Sequence, residues 1–166
     1  MLIILSGLPG VGKTTIAREL ARQLGAVHIR IDSIEQAIRD AKGDSGPLDE
    51  SGYRVGYAVA LDNLRVGRTV IADSVNSIAI TRTAWCEVAV RARVRAIEVE
   101  LKCSDAKEHR NRLENRVEDI AGSPPLAWQE VMAREYHAWD RQHLVIDTAV
   151  CGVEHAVKMI QAALPE

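Results

Sequence analysis

MLIILSGLPGVGKTT, residues 1–15, passes from a run of large apolar side chains into glycine, proline, lysine and threonine within a few positions. Leu2–Leu5 reads as a short buried strand. Ile16, Leu20 and Leu24, spaced four apart, read as one face of the helix that follows. Between them, Gly7 to Thr14 satisfies G-x-x-x-x-G-K-[ST] at every fixed position, in the strand-to-helix context the motif requires. Gly7, Gly10 and Gly12, with Pro9 and Val11 among them, let the backbone curl until successive N–H groups converge on an anion. The helix N-terminus adds partial positive charge. Lys13 is expected to reach β- and γ-phosphates, and the Thr14 hydroxyl to ligate Mg²⁺, with Thr15 just behind it. The stretch predicts a nucleoside triphosphate site. It leaves the reaction open, because hydrolases and kinases share such a loop.

Working outward, apolar runs alternate with helical patterns. Strands are expected at Val27–Ile31, Thr69–Ala72, Val94–Lys102 and Leu144–Ile146. Helices are expected at Ser33–Ala41, Tyr53–Val66, Ile80–Arg91, Ala106–Val117, Leu126–Trp139 and Val153–Ala163. The intervening 42–51 and 119–125 stretches, rich in Gly and Pro, read as loops. Alternation of this kind predicts one α/β domain over residues 1–166, with a parallel sheet between two helical layers.

Composition narrows the setting. The 166 residues carry a net charge of −2, which offers no global basic field for nucleic acid. Aromatics make up 4% with no Phe, so the core must come from Leu, Ile, Val and Ala. Cys86, Cys103 and Cys151 lie far apart in a pattern that suits neither a disulfide framework nor a metal cluster. His28, His137, His143 and His155 show no metal spacing. No apolar stretch has the length of a signal core or a membrane span, so a cytoplasmic protein is expected.

Ligands in parallel sheets sit beyond the carboxyl ends of the strands, and two aspartates fall there. Asp73 follows the third strand and is placed to hold Mg²⁺, directly or through water. Asp32 follows the second strand and is placed to take a proton from an attacking hydroxyl. Asp32 also reads as a helix N-cap, with Glu35 three residues on. Ser74 and Asn76 share the Asp73 loop as substrate-orienting groups or plain turn residues. Further along, Glu108–Arg116 packs Arg110, Arg112 and Arg116 into one helix ahead of a Gly-Ser-Pro-Pro break. Pairs such as Glu108–Arg112 and Arg110–Glu114 suit a solvated helix. A helix, a break and a second helix also suit a lid over residues 104–139, whose arginines neutralise charge on a transferring phosphoryl group.

With GLPGVGKTT, IRIDS, IADSVN, TRTAW, EHRNRLENR and HLVIDT in place, the chain resembles the small P-loop kinases. These include the phage polynucleotide kinase domain, zeta toxins, chloramphenicol phosphotransferase and bacterial predicted kinases. The resemblance implies a three-layer fold with a five-stranded parallel sheet in the order 2-3-1-4-5 and a short helical lid. It implies ATP and Mg²⁺ as cofactors, and phosphoryl transfer to a hydroxyl of a small-molecule acceptor. Asp32 would be the general base, and Asp73 with Asn76 would lie near metal and acceptor. Arg110 would stack on adenine, Arg116 or Arg112 would touch the phosphates, and Thr148 would lead into the adenine loop. Where the polynucleotide kinase domain has a phosphate-binding arginine three residues after its base, this chain has Glu35. A carboxylate repels phosphate, so a nucleic-acid acceptor is not expected. Tyr53 and Tyr57, one turn apart, are candidate acceptor contacts or core residues. The rival readings are a nucleotide-binding regulatory module or slow ATPase without acceptor, and a nucleic-acid or nucleoside 5′-kinase.

Overall fold

The computed structural model describes residues 1–43, 49–117, 119–122 and 125–165. Five strands form one wholly parallel sheet: β1 (Leu2–Ser6), β2 (Val27–Arg30), β3 (Val70–Asp73), β4 (Ala96–Lys102) and β5 (Leu144–Asp147). Their order across the sheet is β2-β3-β1-β4-β5, as the resemblance implies. The helices are α1 (Lys13–Leu24), α2 (Ile31–Lys42), α3 (Ser51–Arg65), α4 (Ala79–Ala92), α5 (Ala106–Glu114), α6 (Trp128–Met132) and α7 (Val153–Ala162).

The central strand explains the layering. All five residues of β1 are buried, because both faces of a parallel sheet are covered. Ile3 and Leu5 join Ile16, Leu20, Val157 and Ile160 on the α1–α7 face. Leu2 and Ile4 join Ala60, Leu64, Trp85 and Val88 on the α3–α4 face. With no Phe available, Trp85 fills the second core, and the Tyr57 ring meets it edge-on at 4.7 Å.

Most boundaries differ from the sequence reading by a residue or two, and the differences that matter for the site are these. Ile31 opens α2 instead of closing β2, so Asp32 lies inside the first turn and is not its cap. The fourth strand begins at Ala96, not Val94. Helix α5 ends at Glu114, where Asn115 folds its amide back onto the Asn111 carbonyl. The helix expected over 126–139 is only α6, and residues 133–143 cross α4 as a strap. The reason is Arg82, which is 1% exposed and needs acceptors. It donates to the carbonyls of Ser77 and His137, and its guanidinium lies 4.3 Å from the Trp139 ring. The His137 N–H is committed to the Ser77 carbonyl at 2.7 Å, which a continued helix would forbid. Parts of the 42–51 loop and of the Gly-Ser-Pro-Pro break lie outside the described residues.

Gly7 shows how tightly the loop after β1 is drawn onto the sheet. Its φ is +141°, and a Cβ there would collide with the Leu101 carbonyl oxygen of β4. Gly7→Ala is therefore expected to cost about 2 kcal/mol or more in urea unfolding, since rigid backbone has to give way.

Candidate active site

The phosphate loop closes β1 and opens α1, held from both sides. The Gly7 N–H donates to the Val75 carbonyl at 3.0 Å, tying the loop to the segment after β3. Gly10, with φ +86°, leaves room for His109 and Leu113 of α5, and His109 Nε2 lies 2.8 Å from the Pro9 carbonyl. The His109 ring meets Trp128 edge-on at 5.0 Å, so α5 and α6 rest together on the loop.

Lys13 is 8% exposed, and its ammonium donates to the Leu8 carbonyl at 3.0 Å. Burial lowers its pKa, while the charges of Asp73 and Asp32 push the other way. Asp73 ends β3 and is 3% exposed. Burial pushes its carboxyl up, but hydrogen bonds from His28 and Thr14 and the charge of Lys13 outweigh that and hold it below the ordinary range. His28 Nε2 stands 3.1 Å from Asp73 Oδ2. Thr14, Asp73 and Lys13 thus gather at the carboxyl end of the sheet. Asp32 adjoins them on α2, about half exposed.

Two cavities flank this centre. One, of about 570 Å³, runs between α2, α3, the segment after β3 and the chain around and beyond the end of α5. Asp32, Tyr53 and Arg116 line it, as does Glu35, whose carboxyl is raised by burial and by the nearby Asp32 charge. The other, of about 410 Å³, opens between Gly12–Ile16, Arg112 and Thr148–Val153. Arg112 donates to the hydroxyl and carbonyl of Thr148 at 3.0 and 3.1 Å, which fixes its plane at the cavity edge.

Several expected residues lie elsewhere. Arg110 borders neither cavity and pairs with Glu114 at 2.7 Å. Asn76 is fully buried, with φ +47°, and its amide supports the Leu5 carbonyl. Tyr57 faces Trp85 and does not line the first cavity. Tyr53 does, and its hydroxyl accepts from the Asn76 N–H at 3.3 Å. Burial lifts that hydroxyl's pKa to about 12, so it stays protonated.

Sequence reasoning missed a second group. Ser77, Thr81, Arg39 and Arg134 line the first cavity. Asp119, just past α5, meets Arg30 at 2.8 Å, Arg116 at 3.7 Å and also Arg18 of α1. The hydrogen bond from Arg30, ahead of that from Arg18, outweighs burial and holds the Asp119 carboxyl well below its usual range. The alternation of β2 was the available signal for His28 and Arg30, since residues two apart share a face.

A family model described as an AAA domain matches residues 2–137. Among curated proteins, the uncharacterised protein Rv2004c of Mycobacterium tuberculosis is 31% identical over 163 residues, covering 89% of this chain and 32% of that protein. The chain spans about a third of the length of the curated relatives it matches. Among solved structures, Chaetomium thermophilum Kti12 in complex with ADP-AlF3 aligns over 100% of both chains, with a TM-score of 0.71 and 23% identity. The M. tuberculosis APS kinase CysC in complex with AMPPNP and APS aligns over 97% of this chain and 95% of its own, with a TM-score of 0.70 and 14% identity. Among the described residues, no helix is long and apolar enough to cross a membrane.

The Asp119 contacts predict a pH signature. A depressed carboxyl stabilises the fold above its unfolded pKa, and that stability is lost as pH falls through the folded value. Asp119→Asn should therefore lower stability near pH 7, on the order of 1 kcal/mol after allowing for solvent screening. The difference between thermal melts of the two proteins should begin to shrink as pH drops below about 4 and vanish only at distinctly more acid pH, where the folded carboxyl itself is protonated.

Proposed function

The chain belongs to the AAA domain family and has the fold of the P-loop kinases, and on that premise we propose that it is an ATP-dependent kinase acting on a hydroxyl of a small molecule. The observation that carries the reading is Asp32 at the mouth of the 570 Å³ cavity, within electrostatic reach of the buried Lys13. A kinase needs a carboxylate beside a second cavity large enough for an acceptor, and a module that only binds nucleotide does not.

The roles follow from position. Backbone N–H groups of the Gly7–Thr15 loop receive the phosphates, and Lys13 exchanges the Leu8 carbonyl for β- and γ-phosphate oxygens. The adenine base fits the 410 Å³ cavity beside Thr148, with the Arg112 plane at its edge. This reading gives Arg112 the place that the resemblance suggested for Arg110. Thr14 and Asp73 suit Mg²⁺, since they offer a hydroxyl and an anionic carboxylate, hard oxygen donors in mutual contact. When bound, Mg²⁺ offsets charge on the phosphate oxygens. His28 keeps Asp73 aimed at that point.

Asp32 accepts the proton of the acceptor hydroxyl as its oxygen bonds to the γ-phosphorus. The bond from that phosphorus to the β,γ-bridging oxygen breaks, and ADP leaves with the electron pair. Arg116, on the cavity wall, offsets the charge that develops. Tyr53, Ser77 and Thr81 offer hydroxyls to a polar acceptor, while Glu35 disfavours a phosphate next to the base.

Two measurements test this. Asp32→Asn should reduce phosphoryl transfer at least about 100-fold while ATP affinity stays within a factor of two, read by ADP release and calorimetry. Full activity in that variant would remove Asp32 from the mechanism. ATP consumption screened across hydroxyl metabolites, nucleosides and aminoglycoside or amphenicol antibiotics should reveal an acceptor that accelerates it. Rapid hydrolysis that no acceptor alters would favour an ATPase.

A further inference from the structure

Arg30 is a buried cation that the scheme above leaves unused. It ends β2, two residues before Asp32, and is 6% exposed. Its Nη1 donates to Asp119 Oδ2 at 2.8 Å, while its Nη2 stands 3.9 Å from Asp32 Oδ2. Among the described residues, neither Nε nor Nη2 has a hydrogen-bond partner. A guanidinium carries five N–H donors in a rigid fork, and buried donors left unmet are unfavourable. Arg30 is therefore held by Asp119 against the pull of Asp32, the other carboxylate it can reach among the described residues.

Asp119 itself joins separate parts of the fold. Arg18 stands exposed on α1, and Arg30 is buried at the end of β2. Asp119 and Arg116 belong to the segment beyond α5. The one carboxylate thus stands between Arg116, on the wall of the larger cavity, and Arg30, whose fork is 2.8 Å from Asp119 and 3.9 Å from Asp32.

We propose that Arg30 is a positioning residue that couples lid docking to release of the general base. With Asp119 docked, Asp32 is available for the acceptor proton. With Asp119 withdrawn, Arg30 swings onto Asp32 and occupies it. A base engaged until the lid docks protects ATP from water. The role of Asp32 as base rests on the kinase reading; the exchange of Arg30 between two carboxylates does not.

The test has a structural and a kinetic arm. Asp119→Ala removes a partly exposed side chain, and its crystal structure is solved without nucleotide beside that of the wild type. Arg30 should close on Asp32 to about 2.9 Å. A spacing unchanged from 3.9 Å overturns the proposal. In the kinetic arm, MgATP turnover is measured in water. Asp119→Ala should lose at least about tenfold, with ATP affinity within about a factor of two. Adding Arg30→Gln to it should recover at least about threefold, because no guanidinium is left to occupy Asp32. A merely structural Arg30 would make the double variant worse than the single one, which also overturns the coupling. A wild type that neither binds nor turns over MgATP sinks the kinase reading, and the crystallographic arm then decides on Arg30 alone.

Discussion

One ammonium group sets the terms for the molecule. Lys13 is almost wholly removed from water, and an isolated buried charge is not tolerated. Its surroundings answer that demand from three directions: the Leu8 carbonyl beside it, Asp73 from β3 and Asp32 from α2. The sheet order puts these groups together. β1 delivers the loop, β3 lies on one side of it, and β2 lies one strand further out. The glycines of the loop, the burial of Asp73 and its bond from His28 all serve to keep opposite charge near Lys13 in a poorly hydrated place. Such a place is also one where phosphate charge is strongly held.

How much of this could be read from the chain depends on the range of the interaction. The phosphate loop is local: its residues are contiguous, and their spacing fixes their geometry. Asp32 and Asp73 were legible because strand ends face the ligand side in any parallel sheet. Asp119 was not. It meets Arg18 and Arg30, which lie 101 and 89 residues away, and only the completed fold brings them together. His28 belongs to the same class, since its partner follows from β2 lying beside β3.

Local pattern also misled where a distant group outbid it. Residues 133–139 carry good helix formers, yet Arg82 on α4 claims their backbone and aromatic rings. Asn76 read equally as a substrate-orienting group or a turn residue, and in the fold its amide serves the carbonyl at the end of β1. Arg110 and Arg112 are two residues apart on one helix, so they face different directions. Only the position of β5 tells which of them meets Thr148.

The closeness of α2 and α3 has a practical consequence for redesign. A Cβ at Gly52 would strike the Glu35 side chain, and one at Gly56 would strike Ile31. The two helices therefore cannot slide together or carry bulk between them without dislodging the residues beside Asp32. Reshaping the larger cavity for a different compound is better begun on the opposite wall, at Ser77, Ile78 and Thr81. Thr81 sits there half-buried on the first turn of α4, away from the helix that carries Asp32, so side-chain volume can change while the base keeps its support.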